Sequence, residues 1–343
     1  MPKSSKVLPA EWEEQSAIQL TWPHADSDWA PYLDEAIACF VKIAETILKY
    51  ELLVIVTPEI KTVQEHLNHC DHSRIRFVHA DTNDTWARDH GAITIFEDQK
   101  PVLLDFGFNG WGRKFDFDKD DLITEHMVKA NVFSEDTGYR NLMDFILEGG
   151  SIEPEGKGTI LTTSKCLLSP NRNITFFKGT IEASLLSILG VHRVLWLNNG
   201  QLVGDNTDGH IDSLARFCSP DTIAYVSCDD PDDSHYKELK MMEDELCGFV
   251  QPNGKPYNLV PIPMADAVYE EGQRLPATYA NFLIINRAVL VPFYGSPKDQ
   301  EMINILRSIF AGRDIIGINC RVLVKQGGSL HCLTMQYPKG VIE

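Results

Sequence analysis

The sequence predicts a mixed α/β fold built from repeated units, and three observations lead to this prediction. Helical hydrophobic patterns alternate with short β-rich runs along the 343 residues. The β-rich runs come in pairs joined by tight polar turns. The residues just ahead of successive pairs recur at intervals of 59, 62, 71 and 51 positions, and they are Asp89, Glu148, His210, Asn281 and Cys332. Such an interval is typical of a cyclic array of supersecondary units, although any α/β protein alternates helix and strand.

Helices are predicted where apolar residues recur at intervals of three and four. In residues 29–50 this stripe includes Leu33, Ile37, Phe40 and Ile47. The other predicted helices are 61–69, 121–130, 176–189, 236–250 and 298–310. Single strands are predicted at 52–56, 74–79, 194–197 and 321–324.

Paired strands are predicted where β-rich runs flank a short turn. The four pairs join 92–96 to 101–106, 151–152 to 158–162, 210–218 to 222–227, and 281–285 to 288–293. Cys332 is expected just ahead of a last pair. No linker rich in Gly, Ser or Pro divides the chain, so a single domain over residues 1–343 is expected.

Composition restricts the partners. With 49 acidic and 31 basic side chains, the formal charge of −18 repels phosphate backbones and anionic lipid and attracts cations. We therefore expect neither nucleic acid nor membrane as a partner. Residues 1–12 lack the apolar core of a signal peptide, and the eight cysteines include no C-x-x-C pair, so a reduced, cytoplasmic protein is expected.

Four segments combine glycine with reactive or charged side chains, and glycine lets backbone and substrate approach closely. They are DTWARDHG at 84–91, EGG at 148–150, DNTDGHID at 205–212 and GGSLHC at 327–332. Most cysteines in cytosolic proteins are inert buried thiols. Cys332 is distinguished by the glycine pair upstream and by the adjacent His331, which makes it the candidate nucleophile.

Four other side chains in these segments have two interpretations each. His210 and Asp212 would share one face of a strand, where they could ligate a metal or act as acid and base. No ligand quartet of recognised spacing accompanies them, which favours the second role. Trp86 could stack on a planar cation or fill the core. Asp208 could meet a substrate ammonium or cap the turn before Gly209.

Together these segments resemble the agmatine deiminases, within the wider family of bacterial peptidylarginine deiminases and guanidine-modifying enzymes. The resemblance covers nearly the whole chain, through LPAEWEEQ, TWP, DTWARDHG, FGFNGWG, EGGSIEPEGKGT, CLLSPNRN, GDNTDGHID, NFLIINRAVLVP and GGSLHCLTMQ. It implies a five-bladed, pseudo-symmetric α/β propeller (pentein) of ββαβ repeats with the active site in the central channel. The sequence departs from the family at Ala92, where proline is usual, and at Glu153-Pro154-Glu155, where His-x-Asp is more usual.

The resemblance also implies a role for each candidate residue. Cys332 would be the nucleophile and His210 the general acid and base. Glu148 would pair with that histidine and with the substrate, Asp89 and Asp212 would clamp the guanidinium, and Trp86 would form a wall of the pocket. No metal and no organic cofactor are expected. The expected partner is a small cationic guanidino substrate, and the sequence leaves a homo-oligomer open.

The expected reaction hydrolyses agmatine to N-carbamoylputrescine and ammonia through an amidino-thioether on Cys332. Carboxylates near the thiol should raise its pKa, so we expect the bound cation to help form the thiolate. The alternatives are a deiminase acting on arginine or on C-terminal arginine residues, a non-catalytic propeller that binds a partner protein, and a metal-dependent hydrolase. An acidic pocket would favour the ammonium of agmatine over the carboxylate of arginine.

Overall fold

Helices and strands alternate throughout residues 5–343, the part of the chain that the structure, a computed structural model, describes. Residues 1–4 lie outside this range, and with them the beginning of the 1–12 segment in which no signal peptide is expected. Within residues 5–343, every helix is too short or too polar to cross a lipid bilayer.

The strands of the described range are short, as expected for units joined by tight turns. In chain order, β1 to β19 are Lys6–Val7, Gln15–Thr21, Leu52–Thr57, Ile75–His79, Ile93–Glu97, Lys100–Gly107, Gly138–Ile146, Ile152–Pro154, Thr159–Thr163, Arg193–Leu197, Ala215–Ser219, Thr222–Ser227, Asn258–Pro263, Tyr269–Glu270, Gln273–Arg274, Leu283–Ile285, Ala288–Phe293, Asp314–Asn319 and Thr334–Pro338.

The helices confirm the six predicted from apolar periodicity, with ends that differ by a few residues. In chain order, α1 to α9 are Leu33–Ile47, Ile60–His66, Ala87–His90, Gly110–Arg113, Ile123–Lys129, Ser164–Leu167, Lys178–Leu189, Tyr236–Gly248 and Lys298–Ile309. Helix α1 shows why the pattern worked, because Phe40, Ile43 and Ile47 are fully buried on one face. The three helices that the pattern missed are single turns of four residues.

Five sheets of three or four strands share one order, in which an antiparallel pair is extended by a parallel strand. The pairs are β5–β6, β8–β9, β11–β12, β16–β17 and β2–β19, and the strands that extend them are β7, β10, β13, β18 and β3. Strand β1 joins the edge of β5, β4 joins β3, and β14–β15 form a small ribbon. The four predicted strand pairs are therefore confirmed.

The last pair is not the local hairpin that the sequence suggested. Strand β19 follows Cys332 and pairs with β2, which begins at Gln15, so the two ends of the chain meet in one sheet. This pairing joins residues more than 300 positions apart, and no turn signal marks it.

The structure corrects two further expectations. Residues 321–324 do not form a strand, because pairing with β17 ends at Asn319 and the chain turns through a 3₁₀ helix at Leu323–Gln326. The apolar run is buried there without being extended. His210 and Asp212 do not lie on a strand either, since His210 precedes and Asp212 lies within a 3₁₀ turn at Ile211–Ser213, ahead of β11. The turn directs the two side chains to different partners.

Candidate active site

The sulfur of Cys332 lies in a buried setting that Asn281 organises. The thiol is 6% exposed, and the Nδ2 of Asn281 lies 3.2 Å from Sγ. The Oδ1 of Asn281 accepts hydrogen bonds from the backbone N–H of His331 at 2.8 Å and of Cys332 at 3.3 Å. One amide therefore fixes both the sulfur and the chain that carries it. The sequence marked Asn281 only by its place ahead of a strand pair and assigned it no role.

Asp212 is the carboxylate nearest to the sulfur. Its Oδ2 lies 3.6 Å from the Sγ of Cys332 and 2.8 Å from the Nδ1 of His331. Burial raises the pKa of Asp212, but the hydrogen bond and charge of His331 outweigh burial and lower it to about 2. Asp212 is therefore ionised at neutral pH.

The thiol itself is held in its protonated form. Burial raises the pKa of Cys332 well above its ordinary value, and the charges of Asp212 and Asp89 add to the rise. This is the direction expected from the sequence, although burial, rather than the carboxylates, is its largest cause.

Asp89 and His210 lie close to each other in the site, although each precedes a different strand pair. The Nδ1 of His210 lies 3.6 Å from the Oδ1 of Asp89, and Asp89 accepts hydrogen bonds from Gly150 N at 3.0 Å and from Trp111 Nε1 at 2.9 Å. Burial raises the pKa of Asp89 to about 6. Burial lowers the pKa of His210, but Asp89, Cys166 and Glu148 raise it more, so that it lies well above the ordinary value.

Gly150 shows how tightly these groups converge. A β-carbon at this position would lie 2.6 Å from His210 Nδ1, 2.9 Å from Asp89 Oδ1 and 3.2 Å from Asp212 Oδ2. No side chain fits in this space. Three side chains from two separate segments of the chain therefore meet at one glycine, which is the close approach that the EGG segment was expected to allow.

Behind His210 lies a cluster of Glu148, Cys166 and Arg172. Glu148, Cys166 and His210 present one carboxylate, one thiol and one imidazole within 4.8 Å of one another. These donor types suit zinc. The Nε of Arg172, however, lies 2.8 and 2.9 Å from the two oxygens of Glu148, so a guanidinium already neutralises this carboxylate and opposes a metal cation there.

Trp86 is buried in the hydrophobic core and lines the cleft above the sulfur. Its ring packs so closely on Gly328 that a β-carbon there would come within 2.3 Å of the indole, and its Nε1 donates to Asp84 Oδ2 at 2.9 Å. Among the described residues, none that lines the cleft above the sulfur is Lys or Arg. The cleft is lined by Asp84, Trp86, Asp89, Trp111, Phe115, Asn206, Thr207, Gln326, Gly327, Gly328 and Cys332.

An acidic recess adjoins this cleft and shares Asp84 and Phe115 with it. Its other lining residues are Asp26, Ser27, Asp28, Asn83, Asp116 and Lys119. Four carboxylates against one ammonium give the mouth of the site a negative potential.

Asp208 does not line the cleft. One of its oxygens lies 2.7 Å from Lys114 Nζ and the other 2.7 Å from Arg172 NH1, so both are already paired with cations. Its backbone is left-handed, with φ of 67°, ahead of Gly209. Of the two interpretations that the sequence left open, these contacts favour the turn, with support of Arg172, over a substrate ammonium.

Comparisons with known proteins agree with this geometry. The model of the family described as Porphyromonas-type peptidyl-arginine deiminase matches residues 7–338. The solved "Putative Arginine Deiminase from Porphyromonas gingivalis" is 50% identical, with a TM-score of 0.95 over 98% of this chain and 100% of that one. A cysteine-to-serine variant of C. jejuni agmatine deiminase, with substrate bound, is 38% identical, with a TM-score of 0.92 over 99% and 98% of the two chains. A curated "Putative agmatine deiminase" of Legionella pneumophila is 31% identical over 97% of this chain and 94% of its own length.

Proposed function

Because the chain belongs to the Porphyromonas-type peptidyl-arginine deiminase family, as its sequence motifs predicted, we propose that it hydrolyses the guanidinium group of agmatine. The products are N-carbamoylputrescine and ammonia. The observation that carries this proposal is the convergence of the Asp89 and Asp212 carboxylates and the His210 imidazole around Gly150, with the Cys332 sulfur 3.6 Å from Asp212.

Two carboxylates suit a guanidinium because its planar N–H groups form parallel hydrogen bonds with carboxylate oxygens. Asp89 and Asp212 hold the cation from two sides in this proposal, and Glu148 is the further carboxylate beside His210. Trp86 forms one wall of the cleft, where its ring face attracts a delocalised cation by about 0.5–2 kcal/mol. The plane of the guanidinium then faces the sulfur.

The thiol of Cys332 gives up its proton to water, and its Sγ attacks the central carbon as the nucleophile. A C–S bond forms as the π electron pair of one C–N bond moves onto nitrogen. His210 gives a proton to one guanidinium nitrogen, the C–N bond breaks, and ammonia leaves an amidino-thioether on the enzyme. His210 then takes a proton from water, whose oxygen attacks the same carbon. Breaking the C–S bond returns the thiol and releases the ureido product.

The protonated thiol of the empty site gives the substrate a part in this chemistry. Asp89 and Asp212 hold negative charge near the sulfur, which disfavours a thiolate. A bound guanidinium neutralises that charge and lies directly beside the sulfur. Substrate binding therefore favours the thiolate over the thiol. In the ligand-free enzyme Cys332 stays protonated and less reactive.

The far end of the cleft favours agmatine over arginine. An α-carboxylate would need a cationic side chain, and the cleft above Cys332 is lined by none. The adjoining recess, with Asp26, Asp28, Asp84 and Asp116, suits the terminal ammonium of agmatine. The alternative substrates are arginine and C-terminal arginine residues, which the names of the family and of the Porphyromonas relative suggest.

We propose further that the five similar sheets are the blades of a single-domain propeller around the site. The support is their common strand order and the place of Asp89, Glu148, His210, Asn281 and Cys332 just ahead of the strand pairs. Independence from metal and organic cofactors and a cytoplasmic location remain predictions.

The test is ammonia release from agmatine, arginine and arginyl peptides. We expect agmatine to be the preferred substrate and Cys332→Ser to abolish release while leaving the far-UV circular dichroism unchanged. Cys39→Ser is the matched control, because Cys39 is equally buried and donates to Asn319 O away from the cleft. Turnover retained in Cys332→Ser would refute the mechanism, and a preference for arginyl peptides would refute the substrate.

A further inference from the structure

His331, the neighbour of the proposed nucleophile, is held between two carboxylates that come from distant parts of the chain. Its Nδ1 lies 2.8 Å from Asp212 Oδ2, and its Nε2 lies 2.7 Å from Glu11 Oε2. All three side chains are at least nine-tenths buried. Glu11 belongs to the LPAEWEEQ motif near the start of the sequence. The proposed reaction assigns no role to this motif.

The two contacts fix the protonation of the imidazole. A nitrogen and an oxygen at 2.7–2.8 Å need a hydrogen between them, so each ring nitrogen requires a proton. Burial and the guanidinium groups of Arg216 and Arg88 lower the pKa of His331. The pKa values of Glu11 and Asp212 are also lowered, however, so neither carboxylate holds the proton in place of the ring. Two short contacts to ionised carboxylates therefore make His331 an imidazolium.

Charges of alternating sign then run from the core to the sulfur. Arg216 NH2 lies 2.6 Å from the Glu11 oxygen that also contacts His331. The Asp212 oxygen that contacts His331 is the one 3.6 Å from Cys332 Sγ. The sequence of charges is positive, negative, positive and negative before the thiol is reached. A guanidinium and a thiolate would continue the same alternation.

We infer that His331 is a positioning residue for the proposed reaction: held by Glu11, it fixes the Asp212 carboxylate and offsets its negative charge at the sulfur. This inference rests on the proposed function for its biological meaning. The charged groups around the ring are Glu11, Asp212, Arg88 and Arg216, with Glu153 paired to Arg216. His331 itself contacts no substrate and exchanges no proton with it.

The role gives His331 two separable effects. Without the imidazolium, the full charge of Asp212 acts on the sulfur, so the thiolate becomes harder to form. Without the 2.8 Å contact, the Asp212 carboxylate is no longer fixed for the guanidinium. The first effect changes the pH dependence of Cys332 ionisation. The second changes the rate at which Cys332 reacts with ligands that carry an amidinium or guanidinium group.

Two alkylating reagents separate these effects in the full-length protein. Iodoacetamide is neutral and reports the ionisation of Cys332, whereas 2-chloroacetamidine is cationic and also needs the clamp. In His331→Gln we expect the pH midpoint of alkylation to rise by about one unit with both reagents. We also expect the limiting rate with chloroacetamidine to fall at least about tenfold relative to iodoacetamide. Mass spectrometry of the Cys332 peptide identifies the product.

Glu11→Gln provides a second variant that keeps the imidazole and its packing. Removing the carboxylate that favours the imidazolium should raise the pH midpoint of alkylation by about half a unit. It should also lower the rate with chloroacetamidine relative to iodoacetamide by about threefold. His235→Gln is the matched control, because His235 is a buried histidine with a carboxylate partner, Asp233, at 2.9 Å outside the cleft. It should keep both midpoints and the ratio of rates.

Unchanged midpoints and an unchanged ratio in His331→Gln and Glu11→Gln, whatever their thermal stability, would overturn the inference and leave His331 a structural residue. Alkylation does not require turnover. A protein that alkylates as expected but releases no ammonia from agmatine would therefore refute the proposed substrate and leave the role of His331 standing.

Discussion

Two histidines, His331 and His210, are buried within the same site, but the hydrogen bonding of their ring nitrogens is opposite. Both ring nitrogens of His331 contact a carboxylate oxygen within 2.8 Å. Neither ring nitrogen of His210 makes a hydrogen bond, and its nearest ion-pair partner, Asp89, lies 3.6 Å away. Buried polar atoms rarely lack a hydrogen-bond partner, so the ring nitrogens of His210 require an explanation.

The difference separates support from reaction. A ring with both nitrogens occupied cannot accept or deliver a proton without losing a contact, so His331 suits a fixed role. A ring with free nitrogens keeps its hydrogen-bonding capacity for a ligand, so His210 suits proton transfer. The same residue type is thus assigned two roles by its neighbours, and the following predictions test this division.

The largest effect is expected from His210→Gln. Loss of the proposed acid and base should lower kcat for ammonia release by about 10²–10⁴. Because neither ring nitrogen of His210 makes a hydrogen bond, His210→Gln should lower the melting temperature less than His331→Gln does. Steady-state kinetics and calorimetry on both variants check this. If His210→Gln were the less stable of the two and kept its rate, the assigned roles would be reversed.

Gly150→Ala should be the next most damaging change. Its β-carbon would displace His210, Asp89 or Asp212, and a displacement near 1 Å costs about 100-fold in rate. Gly248→Ala is the control, because a β-carbon at that position meets no atom within 4 Å. A Gly150→Ala enzyme with normal kcat/KM for agmatine would show that these three groups do not act together.

A third prediction concerns stability and distinguishes the two carboxylates beside the histidines. The pKa of Asp89 is raised to about 6, whereas that of Asp212 is lowered to about 2. A raised carboxyl pKa means that the folded state binds more protons than the unfolded state, so its contribution to stability is lost as pH rises from about 4 to 6. Asp84, also near 6, and the raised pKa of His210 act in the same direction.

We therefore expect the ligand-free protein to have a higher melting temperature at pH 5 than at pH 7, with Asp89 alone contributing about 1.3 kcal/mol over this interval. Asp89→Asn should reduce this dependence. Asp212→Asn should leave it in place, because the titration of Asp212 lies below this range. Calorimetry from pH 5 to 8 measures both variants, and a wild-type protein that gains stability over this interval would contradict the assignment.

The sequence was most informative where structure is local. Tight turns located the four strand pairs, and the residues just ahead of them included Asp89, Glu148 and His210. Asn281 was located by the same rule but given no function, since only its contacts with His331 and Cys332 show what its amide does.

What the sequence could not supply depends on contacts between distant residues. Glu11 contacts His331, which is 320 positions away in the sequence, and β19 pairs with β2 across a similar sequence separation. Arg172 lies inside the CLLSPNRN motif, but nothing local indicates that it neutralises Glu148. The sequence left Asp208 open between a substrate ammonium and a turn, because its partners, Lys114 and Arg172, come from other segments of the chain.

The smallest predicted effect lies at the mouth of the site, beyond both histidines. Asp28 and Asp116 are exposed and line the acidic recess. The double variant Asp28→Asn, Asp116→Asn should raise KM for agmatine about fivefold, because each exposed carboxylate attracts an ammonium by about 1 kcal/mol or less. Butylguanidine, which lacks the ammonium, should show no change, and added salt should reduce the difference for agmatine. An equal change in KM for both compounds would mean that the recess acts on the guanidinium end, and the ammonium would then have to be recognised elsewhere.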